Sequence, residues 1–251
     1  MSDLSNAFSL LEVDVADEED FKAIAAATNG VNSKGTKGKG KNSSENPEGT
    51  LTSDENNSDQ TVEDSYEDYR LPLVWIDLEM TGLNVEVDRI LEIACIITDG
   101  KLTKLIEGPD LVIHQTEECL DKMGEWCQSH HGESGLTKRV LQSKLSEEEA
   151  EEKVAKFVKK YVGSYTPLLA GNSVYMDLLF LKKYMPKLAS LFSHVLVDVS
   201  SLKALCIRWY PRDNKKAPQK TNKHRAMDDI KESIAELKFY KDNIFKSRSK
   251  K

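Results

Sequence analysis

Residues 73–82 have the sequence Leu73-Val74-Trp75-Ile76-Asp77-Leu78-Glu79-Met80-Thr81-Gly82, in which two acids interrupt an apolar run. The β-branched and aromatic residues at its start favour a buried strand. Because side chains alternate between the two faces of a strand, Asp77 and Glu79 project from the same face. Neighbouring carboxylates are costly to bury unless a cation lies between them, and hard oxygen ligands suit Mg²⁺ or Mn²⁺. The pair therefore suggests a metal site, although an isolated Asp-x-Glu is more often a strand end that runs into a polar turn.

The chain has 251 residues, enough for one or two domains with a substantial core. Its net charge of −7 is spread unevenly, because residues 1–70 hold 16 acidic and 6 basic side chains. Residues 28–69 are rich in small, polar and charged residues and almost free of large apolar ones, which predicts disorder. We therefore divide the chain into an acidic, mostly disordered extension (1–70), a folded domain (71–246) and a basic tail (247–251).

The sequence has no secretory signal and no apolar stretch of about 18 residues, so we expect no membrane association. Four cysteines without a Cys-x-x-Cys pair are typical of an intracellular protein with reduced thiols, and Cys95 and Cys206 lie in apolar runs that predict core positions. We expect a cytoplasmic protein. The alternative is a mitochondrial protein made from a longer precursor, because transit peptides are rich in Arg and poor in acids, whereas the first Arg here is Arg70.

Downstream of Arg70, apolar patterns predict three strands joined by short loops in an antiparallel meander. These strands lie at about 73–79, at 90–98, and at 102–106 or 111–114. Helices and short strands then alternate: a helix at about 146–162 opened by a capping box, a strand at 168–170, a helix at 175–184, a strand at 195–198, and helices at 199–209 and 225–243, with a loop at 211–223. This order predicts an α/β domain with one mixed sheet.

Two further acids stand near the starts of predicted helices. Asp177 falls in the first turn of its helix, where an acid alone would simply complement the helix dipole. Asp229 lies at the edge of the buried face of the last helix, whereas Asp228 faces away from the core. Phosphodiester hydrolysis would require such separated acids at one site. Two divalent ions about 4 Å apart activate water and stabilise the leaving oxygen, and they need several shared carboxylates. A nearby imidazole takes the water proton near neutral pH, and His224 is the candidate.

With these residues in place, the chain resembles the oligoribonucleases of the DEDDh 3′→5′ exonuclease superfamily, and most of all their eukaryotic, plant-type members. The resemblance covers about 72–245 and rests on three motifs: Trp75 to Leu83, Gly171-Asn172-Ser173 with Asp177, and His224-x-Ala226-x-x-Asp229. It implies an RNase H-like fold with a five-stranded mixed sheet flanked by helices. It also implies a homodimer that degrades short single-stranded RNA of about two to five nucleotides, down to dinucleotides, to 5′-mononucleotides.

The same resemblance implies roles for single residues. Two divalent cations, Mg²⁺ or Mn²⁺, would be held by Asp77, Glu79, Asp177 and Asp229, and His224 would be the general base. Substrate contacts would come from Leu83, which would wedge between bases, and from Trp126, His131, Ser173, Ser200 and His194.

The run Ser193-His194-Val195 departs from the family, in which His-Tyr-Arg is common at this place. His194 takes the place of a tyrosine that stacks across the dimer, and an imidazole still stacks. Val195 takes the place of an arginine, so one bidentate phosphate contact is lost. This difference affects the expected binding of the substrate's terminal phosphate and the expected preference for dinucleotides. It does not affect the expected cleavage.

Two other functions compete with this interpretation. One is an exonuclease for DNA proofreading or for longer RNA, against which the compact domain without an added nucleic-acid-binding module argues. The other is a non-catalytic RNA-binding or scaffold protein, which would be expected to lack a metal ligand, and none is lacking here. Trp126 alone also fits an ordinary core aromatic. A zinc site built from Cys119, Cys127, His130 and His131 is a further alternative, but their spacing fits no ordinary structural zinc pattern.

Overall fold

A computed structural model describes residues 69–218 and 225–245 of the chain. The predicted extension up to residue 68, the basic tail and His224 lie outside these described residues. None of the helices described is both long enough and apolar enough to cross a membrane.

Five strands form one mixed sheet, as the sequence predicts. Strands β1 (Leu73–Met80), β2 (Ile90–Thr98) and β3 (Leu105–Val112) form an antiparallel meander. Strands β4 (Leu168–Gly171) and β5 (Leu196–Asp198) extend the sheet in parallel on the other side of β1. The order across the sheet is β3-β2-β1-β4-β5, so β1 is the central strand.

Strand β3 differs from both predicted positions, because it is continuous from Leu105 to Val112. The first alternative, 102–106, begins too early: the Asp99 carboxylate accepts hydrogen bonds from the N–H groups of Thr103 and Lys104 and closes a turn there. The gap between the two alternatives contains Gly108 and Pro109, which interrupt the apolar pattern. A proline is tolerated here because β3 is an edge strand.

Nine helices are described, and they include all four that the sequence predicts. Their bounds are α1 Glu117–Asp121, α2 Glu125–Glu133, α3 Leu136–Gln142, α4 Glu147–Val162, α5 Tyr175–Tyr184, α6 Pro186–Ala189, α7 Val199–Trp209, α8 Pro211–Asn214 and α9 Ala226–Asn243. The prediction of a loop at 211–223 is wrong at its start, where the chain forms the short helix α8. Pro211 begins this helix, because proline suits the first turn. Helices α1 to α3 were not predicted, because each buries only one or two residues.

One face of the sheet packs against α4, α5 and α6. Val74, Ile76 and Leu78 of β1 point to this side and join a core that includes Val158 of α4 and Phe180 of α5. The predicted capping box is present at the start of α4, where the Ser146 hydroxyl accepts from the Glu149 N–H and the Glu149 carboxylate accepts from the Ser146 N–H. This cap satisfies two N–H groups that the helix itself leaves unbonded.

The opposite face packs against α7 and α9. Trp75 is fully buried there beside Ile96 of β2, and Ile230 and Leu237 of α9 cover it. Because side chains alternate along β1, Asp77 and Glu79 share the Trp75 face. The two acids therefore lie on the side of the sheet that α9 covers.

Strand β4 is shorter than β1, and this difference leaves room for the site. The pairing of β1 with β4 runs from Leu73 to Trp75, opposite Leu168 to Ala170. Residues 76–80 of β1 thus extend past the pairing with β4, and the chain turns there through Ser173 into α5. Side chains from that turn and from α5 can reach the exposed backbone of β1.

The buried hydrogen bond of Trp75 gives a test of this core. Its indole Nε1–H donates to the Thr98 hydroxyl across 3.0 Å, and Thr98 is 1% exposed. Thr98→Val keeps the shape but leaves the indole N–H unpaired, so we expect the free energy of unfolding to fall by about 1–3 kcal/mol. Urea denaturation followed by fluorescence measures the change. Thr98→Ser, which keeps the hydroxyl, is the matched control, and equal stability of the Val and Ser variants would contradict the expectation.

Candidate metal centre and nucleic-acid site

Three carboxylates meet at the end of β1. Asp77 and Glu79 come from the strand, and Asp229 comes from the first turn of α9; one oxygen of each lies within 4.8 Å of the others. All three side chains are half-buried. Ala226 and Ile230 of α9 are buried against the sheet, which fixes the approach of Asp229. Within residues 69–218 and 225–245, this is the one group of three acidic, histidine or cysteine side chains close enough to share an ion, so the zinc alternative has no cluster there.

Asp177 approaches the same place from the other side of β1. It lies in the first turn of α5 and is 6% exposed. Its Oδ1 accepts a hydrogen bond of 3.0 Å from the N–H of Leu78, the residue between Asp77 and Glu79. Leu78 lies past the pairing with β4, so this carboxylate takes the place of a missing strand partner. The four predicted acids are thus brought to one end of one strand.

Burial disfavours the charged forms of two of these acids, and for Glu79 the neighbouring negative charges add to the effect. Burial raises the pKa of Glu79 well above its usual value, and the charges of Asp229, Glu92 and Asp177 raise it further, while Arg225 opposes them. Burial also raises the pKa of Asp177 to about 8, although the hydrogen bond from Leu78 favours the carboxylate. A divalent cation would relieve this repulsion, because it replaces protons among hard oxygen ligands. The donor set therefore fits a divalent metal ion.

Glu92 is a site neighbour that the sequence analysis missed. It is fully buried on β2 directly opposite Glu79. Its Oε1 accepts from Arg139 of α3 at 3.0 Å and from Arg225, the residue before α9, at 3.4 Å. The sequence held one sign of this role. Glu92 is an acid within the apolar run Ile90-Leu91-Glu92-Ile93, and a buried charge needs a partner. The pairs join α3 and the start of α9 to the sheet beside the acids.

Helix α2 brings an imidazole to the acid cluster. His131 is 3% exposed, and its Nε2–H donates to the Met80 carbonyl across 2.9 Å. Its Nδ1 lies 4.0 Å from Oε2 of Glu79. Trp126, one turn earlier, is half-buried, and its ring stacks on His130 with the centroids 3.8 Å apart and the planes inclined by 20°. Trp126 is therefore not part of either hydrophobic core.

Ser173 and Ser200, two of the predicted substrate contacts, form one hydroxyl cluster. The Ser173 N–H donates to Asp198 Oδ1 at 3.0 Å and to Ser200 Oγ at 3.1 Å, and the Ser173 hydroxyl lies 3.2 Å from the Ser200 hydroxyl. Asp198 also accepts from the Ser200 N–H and caps α7. These bonds hold Ser173 at a φ of 49°, a left-handed conformation that residues other than glycine seldom adopt. Asp198 was not predicted as a site residue.

The remaining predicted residues occupy loops. Leu83 is half-exposed in the loop that follows β1. His194 is exposed in the segment before β5, and its neighbour Val195 is 47% exposed. His224 lies outside the described residues, immediately before Arg225.

Comparison with known proteins identifies the class to which this fold and acid cluster belong. A model of the exonuclease family matches residues 74–237. The structure of exonuclease I is similar with a TM-score of 0.55 at 15% identity, over 69% of this chain and 41% of that one. This likeness confirms the predicted RNase H-like fold.

Relatives define the class more narrowly. An oligoribonuclease of Arabidopsis thaliana is 60% identical over 248 residues, which cover 99% of this chain and 100% of the relative. The human mitochondrial oligoribonuclease is 51% identical over 176 residues, which cover 70% of this chain and 74% of the relative. The chain therefore belongs to the exonuclease family and, within it, to the oligoribonucleases, and it is a hydrolytic 3′→5′ exoribonuclease. Enzymes of this family depend on divalent metal ions, and the acid cluster at the end of β1 is the candidate site.

The raised pKa of Asp177 predicts how the metal-free protein responds to pH. Its folded-state pKa of about 8 exceeds the unfolded value of about 3.9, so the folded state holds the extra proton between these values. Its contribution to stability is present below about pH 4 and is lost as the pH rises towards 8. In EDTA, the free energy of unfolding should therefore fall from pH 5 to pH 8, as measured by urea denaturation. Asp177→Asn keeps an oxygen acceptor for Leu78 and should reduce this fall, whereas Asp121→Asn on the surface should follow wild type.

The buried Glu92 predicts a second effect on stability. Arg139→Met removes one of its two cations, so we expect the free energy of unfolding to fall by about 2–4 kcal/mol. Arg208→Met is the control, because Arg208 is exposed and bonds the Ala204 carbonyl of its own helix. Urea denaturation of the two variants measures the difference. Equal stabilities would mean that the Glu92 pair is not a structural contact.

Proposed function

We propose that this enzyme removes 5′-mononucleotides from the 3′ end of short single-stranded RNA, of about two to five nucleotides, down to dinucleotides. The observation that carries the proposal is the acid cluster at the end of β1 in a chain that is 60% identical to an oligoribonuclease over nearly its whole length. Such a cluster suits phosphodiester hydrolysis, because negative charge accumulates on the phosphate oxygens during the reaction.

In this proposal Asp77, Glu79, Asp177 and Asp229 hold two divalent ions, Mg²⁺ or Mn²⁺. When bound, such ions supply Lewis-acid stabilisation of charge on the attacked phosphate. The protein contributes fixed positions: Asp77 and Glu79 are held by the sheet, Asp229 by the packing of α9, and Asp177 by its bond to Leu78. The half-buried surroundings limit competition from bulk water.

His224 is the proposed general base, which takes a proton from the attacking water. This role comes from the sequence, since His224 lies outside the described residues. Its chain neighbour Arg225 bonds Glu92, which lies opposite Glu79 in the sheet. That contact supports the proposal, because it ties the residue next to His224 to the strand that adjoins the acids.

The proposed substrate contacts come from the loop after β1, from α2 and from the hydroxyl cluster at Ser173. Leu83 and Trp126 offer apolar and aromatic surface on which bases stack, as is usual in the recognition of single strands. His131 lies beside Glu79, where it is close to the reacting phosphate. The hydroxyls of Ser173 and Ser200 offer hydrogen bonds to the terminal phosphate.

We further propose that residues 71–246 form the exonuclease domain, with 1–70 as an extension and 247–251 as a basic tail. The family match at 74–237 lies inside this domain. The exposed His194 would stack on RNA bound by the second subunit of a homodimer. The enzyme would act in the cytoplasm or, if made from a longer precursor, in mitochondria, for which the human relative is named.

A product time course tests the function directly. We expect 5′-labelled RNAs of two to ten nucleotides to shorten one nucleotide at a time with Mg²⁺ or Mn²⁺, and dinucleotides to be cleaved completely. Asp77→Ala should lose at least about a thousandfold in kcat, because a metal ligand is removed, and His224→Ala should lose about a hundredfold or more, because only proton transfer is impaired.

Two outcomes would contradict this function. Full activity of Asp77→Ala would show that the site lies elsewhere. Faster turnover of a 20-nucleotide RNA than of a dinucleotide would instead favour an exonuclease for longer substrates. Gln142→Ala, an exposed change at the end of α3, should match wild type in both assays.

A further inference from the structure

Within the loop between β1 and β2, residues 81–89, one carboxylate bonds residues from separate parts of the loop. Asp88 Oδ1 accepts a hydrogen bond of 2.9 Å from the Thr81 hydroxyl, and Oδ2 accepts one of 2.8 Å from the Asn84 N–H. The Asp88 N–H in turn donates to the Asn84 carbonyl across 2.8 Å. Asp88 thus bonds residues on either side of Gly82 and Leu83.

The base of the loop is fixed around the same hydroxyl. The Thr81 hydroxyl, besides donating to Asp88, accepts from the Arg89 N–H at 3.0 Å, and the Thr81 N–H donates to the Arg89 carbonyl at 3.0 Å. Thr81 is 3% exposed, so water competes little for these bonds. The two ends of the loop are therefore held together directly after β1.

Gly82 shows how closely the carboxylate packs under the loop. A Cβ at this position would lie 2.4 Å from Asp88 Oδ2, which is far inside contact distance. The Asp88 side chain therefore fills the space that a side chain at residue 82 would need. Leu83 therefore lies between two residues that contact Asp88: Gly82, which packs against its carboxylate, and Asn84, whose N–H bonds it.

The far side of the loop is tied to the helix that carries Asp177. The Val85 carbonyl accepts from Lys183 Nζ at 2.8 Å and from the Tyr184 hydroxyl at 3.1 Å, and both donors belong to α5. The loop is thus fixed to two elements of the acid cluster, to β1 through Thr81 and to α5 through Val85.

We propose that Asp88 is a positioning residue for substrate length: by bonding Thr81 and Asn84 it holds Leu83 at a set place relative to the acid cluster, where Leu83 selects very short RNA. This inference rests on the proposed function, in which Leu83 offers apolar surface to the bases of short RNA. In this proposal Asp88 acts through Leu83 and is not itself a ligand of RNA or metal. Its loss frees Leu83 and weakens dinucleotide binding, while the acids that bind metal keep their positions.

The test compares Asp88→Ala and Asp88→Asn with wild type in steady-state hydrolysis of a dinucleotide. We expect KM to rise about tenfold or more in the Ala variant and by less in the Asn variant, which keeps an oxygen acceptor, with smaller changes in kcat. Affinity for Mn²⁺, measured by calorimetry, should stay at the wild-type value in both. Val87→Ala is the matched control, because the Val87 side chain is 70% exposed in the same loop, and it should match wild type.

A double-variant cycle with Leu83→Ala separates positioning from a general loss of stability. If Asp88 acts through Leu83, Asp88→Ala raises KM little further once Leu83 is already alanine. Additive effects in the cycle, or a loss of Mn²⁺ affinity in both Asp88 variants, would overturn the inference. If wild type cleaves dinucleotides and both Asp88 variants keep its KM, this inference alone fails. If wild type itself does not cleave dinucleotides, the proposed function fails as well.

Discussion

Crowding of negative charge on one buried face of the sheet is the constraint on which the rest of this structure depends. Asp77 and Glu79 lie on the face that also buries Trp75, and α9 must cover both kinds of side chain. The surrounding groups make that possible, since Arg139 and Arg225 bond Glu92. A divalent cation bound between Asp77, Glu79 and Asp229 would offset the remaining cost of covering these acids.

The sequence was sufficient to predict the elements whose side chains face the core at a regular spacing. Strand β1 alternates between two buried faces, and α4 opens with a capping box, so each could be predicted from local pattern alone. Strand β3 was misplaced because Gly108 and Pro109 interrupt its pattern at an edge where few side chains are buried. Helices α1 to α3 were missed for a related reason, since α2 buries only Cys127 and His131.

The acids of the proposed site could be selected only together: each stands inside an apolar strand or near the start of a helix, where a single acid has an ordinary structural explanation, and phosphodiester hydrolysis and the family resemblance joined them. The residues that support them could not be selected, because their partners are remote in the chain. Arg225 lies 133 positions along the chain from its partner Glu92. Asp198 lies 25 positions from Ser173, whose N–H donates a hydrogen bond to it. Asp88 has near partners, but a carboxylate in a polar loop is so common that its two bonds give no sequence signal. Family resemblance supplied the substrate residues, which no pattern of polarity would have selected.

Helix α9 both covers the Trp75 face and carries Asp229, and it is the last described element in chain order. During synthesis the ribosome therefore produces Asp77, Glu79 and Asp177 before it produces the residue that completes the cluster. A chain that stops before Ala226 has an open apolar face and an incomplete site at the same time. Such a truncated chain would lack both the cover of the Trp75 face and the third acid of the cluster, so the core and the proposed site are completed in one step.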